Sequence, residues 1–148
     1  MVNKKHDCYI ASGWFNPEQA NDLEQMKKIL TKLKANFFSP KDHLICPAVS
    51  SPNFRNTVFR GNKEAIEHSD FLVANTRDKD MGTIFECGMA YEMGKPIVYY
   101  CEGLKGTFNL MLSQSGCCVA TNLKELEFHL SQILKDLTYA EDYKGTVE

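Results

Sequence analysis

Along the chain, short and almost continuously apolar runs alternate with stretches in which apolar residues recur every three or four positions. Residues 8–12 (CYIAS), 70–76 (DFLVANT), 96–101 (PIVYYC) and 116–122 (GCCVATN) are of the first kind and read as buried strands. Residues 36–40 (NFFSP) read as a further, very short strand. Residues 16–35 are of the second kind and predict an amphipathic helix, with Asn16 as N-cap and Pro17 at the first helical position. Residues 58–69, 83–94 and 123–137 predict three more helices. Between them, residues 41–56 read as a loop, because prolines and turn formers interrupt any period. Apolar strands alternating with helices imply a parallel sheet covered on both faces.

One charge violates this pattern. In the predicted helix starting at Thr83, Glu86 is followed at helical spacing by Met89, Ala90 and Met93, so it shares a stripe with residues expected to face a core. Two readings fit. Thr83 and Glu86 have the spacing of a capping box, in which the glutamate only binds a backbone N–H. Alternatively, Glu86 is a functional carboxylate in the first helical turn, kept ionised by the helix dipole and able to act as a nucleophile. Ligands of open parallel sheets bind beyond the carboxyl ends of the strands, and the loop at residues 77–82 delivers the chain from such an end to Glu86.

At 148 residues without a linker or repeat, the sequence predicts a single domain, residues 1–148. A formal net charge of −2 from interleaved acids and bases argues against nucleic acid or an anionic membrane as partner and favours a small polar ligand. The opening residues lack the h-region of a signal peptide and no apolar run reaches the length of a membrane span, which predicts a cytoplasmic protein. Six cysteines show no metal-ligand spacing and read as buried, reduced thiols, while the four scattered histidines receive no role. No metal or other cofactor is expected. Neither G-x-G-x-x-G after the first strand nor a P-loop is present, so dinucleotide and nucleoside triphosphate sites are unsupported.

Four segments, at residues 9–19 (YIASGWFNPEQ), 78–98 (DKDMGTIFECGMAYEMGKPIV), 108–112 (FNLML) and 143–148 (YKGTVE), resemble in order and spacing those of the nucleoside 2'-deoxyribosyltransferases. The resemblance implies a flavodoxin-like (Rossmann-like) α/β fold with about five parallel strands. It also implies exchange of the base of a 2'-deoxynucleoside for another purine or pyrimidine. By position it makes Glu86 the nucleophile, Tyr9 the residue that orients it and Asp80 a ligand of the deoxyribose hydroxyls. Asn62 falls where the family contacts the base, some members having aspartate there. Asn109, Met111 and Glu148 match residues that complete a neighbouring subunit's site in a homo-oligomer, a dimer or a hexamer built as a trimer of dimers. Trp14 and Phe15 read as an aromatic wall for the base or as a hydrophobic plug. Tyr9 alone could be core, Asp80 a turn residue, residues 108–112 a plain loop and Glu148 part of a frayed tail. Two other functions stay open: a related N-glycosidase acting on deoxynucleosides or their monophosphates, and a non-catalytic nucleoside- or nucleotide-binding module of the same fold. The first loop, SGWFNPEQ, is crowded for a phosphate cradle and favours an unphosphorylated nucleoside.

Overall fold

The computed structural model describes residues 5–148; the first four residues of the amino-terminal segment, on which the reading of a missing signal peptide partly rests, lie outside them. The elements run β1 (His6–Ala11), α1 (Pro17–Lys32), β2 (Phe37–Phe38), α2 (Pro52–Glu67), β3 (Ser69–Asn75), α3 (Met81–Glu92), β4 (Ile97–Tyr100), α4 (Leu110–Ser115), β5 (Cys118–Ala120) and α5 (Leu123–Lys135). Single 3-10 turns at Pro40–Asp42 and Arg77–Lys79 precede α2 and α3. The strands form one sheet in the order β2-β1-β3-β4-β5, with every pairing parallel. This is the flavodoxin-like order, in which the strand sequence reverses between β1 and β3.

Alternation along each strand sends side chains to opposite faces and builds two cores. Cys8, Ile10, Phe71, Val73, Val98 and Tyr100 pack with Leu23, Met26 and Leu30 of α1 and Leu126, Leu130 and Ile133 of α5. Tyr9, Ala11, Leu72, Ala74, Ile97 and Tyr99 pack with Ala65 and Ile66 of α2 and Cys87 and Ala90 of α3. Pairing of Tyr9 with Leu72 and of Leu72 with Ile97 keeps each face in register across the three central strands. No helix among the described residues is long and apolar enough to cross a membrane.

Three local expectations need correction, and one alternative reading falls away. The predicted loop at residues 41–56 ends in helix: α2 begins at Pro52, capped by Ser51 Oγ accepting from Phe54 N at 3.1 Å. Serine then proline, which reads as a turn, is here an N-cap followed by N1. The third predicted helix starts earlier as well, because its N-cap is Asp80, whose Oδ2 accepts from Thr83 N and Thr83 Oγ1, each at 2.9 Å. Residues 108–112 do not form a plain loop, since Asn109 caps α4 by accepting from Leu112 N at 3.1 Å. Finally, the cysteines are free thiols, but Cys46 is exposed and Cys101 and Cys117 are half-buried, so only Cys8, Cys87 and Cys118 fit the buried expectation.

Candidate active site

The carboxyl ends of β1 and β3 are tied together by buried polar groups. Asn75 at the end of β3 donates through Nδ2 to Ser12 Oγ at 3.3 Å and to Asp22 Oδ2 of α1 at 3.2 Å. Arg77 donates to both Asp22 oxygens, through Nε and Nη2. Asp22 draws the Arg77 pKa up from its usual value, through the side-chain hydrogen bond first. Above this network the two loops touch, Asn16 Nδ2 donating to Asp78 Oδ2 at 2.8 Å. Asp78 and Lys79 both take left-handed φ values, +61° and +52°, so the chain turns sharply just before Asp80.

On the other face of the sheet lies Glu86. It is the sixth residue of α3, a full turn beyond the capped end, and its carboxylate does not close a capping box. Instead Tyr9, fully buried in β1, donates its hydroxyl to Glu86 Oε2 across 77 positions of sequence. The first-turn placement shared by both readings of Glu86 is therefore corrected: Asp80 takes the cap, and the helix dipole acts weakly on a second-turn side chain. The surroundings of Glu86 disfavour its charged form. Burial raises its pKa to about 7, the Tyr9 hydrogen bond pulls against that shift, and the charge of Asp80 adds to it. Burial, and then the charge of Glu86, push the Tyr9 phenol well above its ordinary value, which keeps its proton in place as a donor.

Tyr9 also stacks on Phe38 of β2, with ring centroids 5.6 Å apart and planes within 12°. Phe38 forms part of the wall of a cavity of about 310 Å³, together with His43, Leu44, Arg60 and Asn62. Asn62 thus faces a space reached from Tyr9 through one aromatic ring. A second cavity, of about 350 Å³, brings Asn109, Met111 and Glu148 together with Thr76, Lys79 and Ile84. The closing segment is not frayed. Phe108 N donates to Thr146 O, Glu148 N to Phe108 O and Leu110 N to Glu148 O, a short parallel bridge that Tyr143 buttresses by packing on Phe108. Trp14 packs toward the α1/α5 core and contacts Phe15, which is 72% exposed, so this pair sits above the opposite face from Glu86. The loop carrying it is fixed by Gln19, whose Oε1 accepts from Phe15 N at 3.0 Å. A Cβ on Gly13 would lie 2.6 Å from that same oxygen.

Three of the sequence-predicted residues, Tyr9, Glu86 and Asp80, therefore form one cluster, and Asn62 lines a cavity with Phe38. Asn109, Met111 and Glu148 line a separate cavity, while Trp14 and Phe15 stand apart. Phe38 and His43 were missed by sequence reasoning: a two-residue strand and a lone histidine carry no spacing signal. Among the described residues no group of three or more His, Cys, Asp or Glu side chains is placed to hold a metal ion.

Residues 8–127 match the model of the nucleoside 2-deoxyribosyltransferase family. The chain belongs to that family. A solved 2-deoxyribosyltransferase from the psychrotolerant bacterium Bacillus psychrosaccharolyticus is 25% identical, with a TM-score of 0.78 over 92% of this chain and 98% of its own. A conserved protein from Enterococcus faecalis V583 shares the fold at 17% identity, with a TM-score of 0.70 and coverage of 87% and 99%. The CMP N-glycosidase BcmB of Clostridium botulinum does so at 17% identity, with a TM-score of 0.54 and coverage of 83% and 96%. A comparison with curated proteins finds no match. Membership makes the chain an enzyme of the deoxyribosyltransferase kind, and the family points to nucleosides and nucleobases as its substrates.

Proposed function

We propose that this enzyme moves a 2'-deoxyribosyl group from one nucleobase to another by double displacement, with Glu86 as the nucleophile. The observation that carries this reading is the hydrogen bond from the buried Tyr9 hydroxyl to Glu86 Oε2, which fixes one carboxylate oxygen and leaves Oε1 to attack. In the first half, Oε1 bonds to C1' as the C1'–N bond breaks on the opposite face and the electron pair departs with the base. In the second, the ring nitrogen of an incoming base displaces the carboxylate, and two inversions give net retention. A 2'-deoxy sugar lacks the electron-withdrawing hydroxyl next to C1', so the oxocarbenium-like transition state is reached without a metal.

Asp80 spends Oδ2 on capping α3, and its Oδ1 is the atom that would accept from deoxyribose hydroxyls. The base would occupy the space beside Phe38, with Asn62 able both to donate and to accept. Trp14 and Phe15 would close over it only if the first loop moves. Asn109, Met111 and Glu148 would complete the site of a neighbouring subunit in a homo-oligomer, a dimer or a hexamer. Such exchange suits cytoplasmic salvage of deoxynucleosides.

The test is incubation with deoxyinosine or thymidine, with and without adenine, followed by chromatography of free bases and nucleosides. New deoxynucleoside should form faster than free deoxyribose. Base release that ignores adenine would make the enzyme a hydrolase, as the name of the Clostridium botulinum relative states for that protein, and no turnover would leave a binding module. With a 2'-fluoro-2'-deoxynucleoside, the sugar mass should appear on Glu86. Mixed Glu86→Ala and Asn109→Ala subunits should regain activity on exchange, up to about a quarter of sites by random pairing, if sites are shared.

A further inference from the structure

A departing base needs a proton on a ring nitrogen, and neither Glu86 nor Asn62 can give it: the first is spent as nucleophile and the second does not exchange protons near neutral pH. The cavity beside Phe38 contains another candidate. His43 stacks on Phe38 with centroids 3.9 Å apart and planes within 22°, on a ring that also stacks on Tyr9. Its Nδ1 lies 2.9 Å from the Ser39 carbonyl oxygen, which only accepts, so the Nδ1 proton is committed there. Nε2 is then the exchangeable atom, an acceptor in the neutral ring and a donor in the cation. His43 is exposed to solvent, which lets it recover a proton between half-reactions.

We propose that His43 is a catalytic residue of the transfer reaction, touching the nucleobase through Nε2, donating a proton to its ring nitrogen as the C1'–N bond breaks and taking one back from the incoming base. The proposal rests on the transferase reading above. It balances within the cycle, because the proton given to the first base is returned by the second, and no other co-reactant is needed. The charged groups around His43 are Arg60 and Glu64 of α2, which share the cavity wall, and the adjacent Asp42, which pairs with Lys27 at 2.9 Å. Arg60 cannot release a proton, whereas Glu64 is the one rival acid of the cavity.

The deciding comparison uses two donors. Deoxyinosine needs protonation of its base to leave; 7-methyl-2'-deoxyguanosine already carries the positive charge that protonation would supply. His43→Gln should lower the deoxyinosine rate about 100-fold and leave release of 7-methylguanine within about threefold of wild type. Imidazole added to His43→Ala should restore deoxyinosine turnover. Equal losses on both donors, no loss on either, or the same split in Glu64→Gln instead would overturn the assignment. Should the pocket exclude the methylated donor, rescue by imidazole decides, and absence of rescue counts against His43. A wild-type enzyme inert toward every deoxynucleoside would fail at the earlier step and remove the transferase reading together with this one, whereas an active wild type with an indifferent His43→Gln removes this one alone.

Discussion

Two carboxylates enter the interior from helices on opposite faces of the sheet, and their surroundings differ in one respect. Asp22 of α1 meets the Arg77 guanidinium and the Asn75 amide, so its charge is matched by an opposite charge and by donors. Among the described residues, Glu86 of α3 meets a phenol and no cation, and the charge that bears on it is that of Asp80, of the same sign. A matched carboxylate locks structure, while an unmatched one keeps a raised pKa and a reactive lone pair, the condition sought in a catalytic group. Depth alone does not separate the two roles. The partner does.

Removing each carboxylate should therefore damage different things. Glu86→Gln should lower transfer by about a thousandfold or more, with the circular dichroism spectrum unchanged, since an amide keeps the Tyr9 contact but cannot attack C1'. Near-normal turnover in this variant would end the comparison. Asp22→Asn should instead cost on the order of 3 kcal/mol in urea unfolding, because it leaves the guanidinium without its charge partner, with the rate per folded molecule within about threefold of wild type. Tyr9→Phe should slow transfer by about ten- to a hundredfold. Because the Tyr9 hydrogen bond lowers the Glu86 pKa against burial, its loss should also move the acid limb of kcat/KM to higher pH. In the wild type that limb should lie at about pH 7, with activity rising as Glu86 ionises.

The smallest effect concerns stability. Glu86 binds its proton more tightly in the folded than in the unfolded chain, so the unfolded state ionises first as pH rises. Stability against unfolding should fall between about pH 4.5 and 7 and level off above. At pH 8, Glu86→Gln should then be more stable than wild type by on the order of 2 kcal/mol. A variant of equal or lower stability would show that the buried charge is better compensated than its contacts suggest.

The sequence made Glu86 visible because a charge on an apolar stripe breaks a period, and Asn16 followed by Pro17 marked the start of α1 as found. It misled where one signal serves two structures. Ser51–Pro52 read as a turn and is a helix start, and Thr83-x-x-Glu86 read as a capping box while Asp80 holds the cap. The Tyr9–Glu86 contact has no local trace, since it depends on β1 lying beside β3 and α3 crossing above them. The family resemblance supplied that pairing by position, not by spacing.

The same contact joins residues 77 positions apart through a sheet whose every pairing is parallel, so a fragment that lacks β1 or α3 lacks the pair. Helices formed early in refolding would restore far-ultraviolet signal before they restore chemistry, because parallel pairing closes long loops first and gains contacts later. Return of catalysis after dilution from denaturant thus reports docking of α3 over β1. A chain released from the ribosome before α3 is made would hold Tyr9 but not the carboxylate it orients.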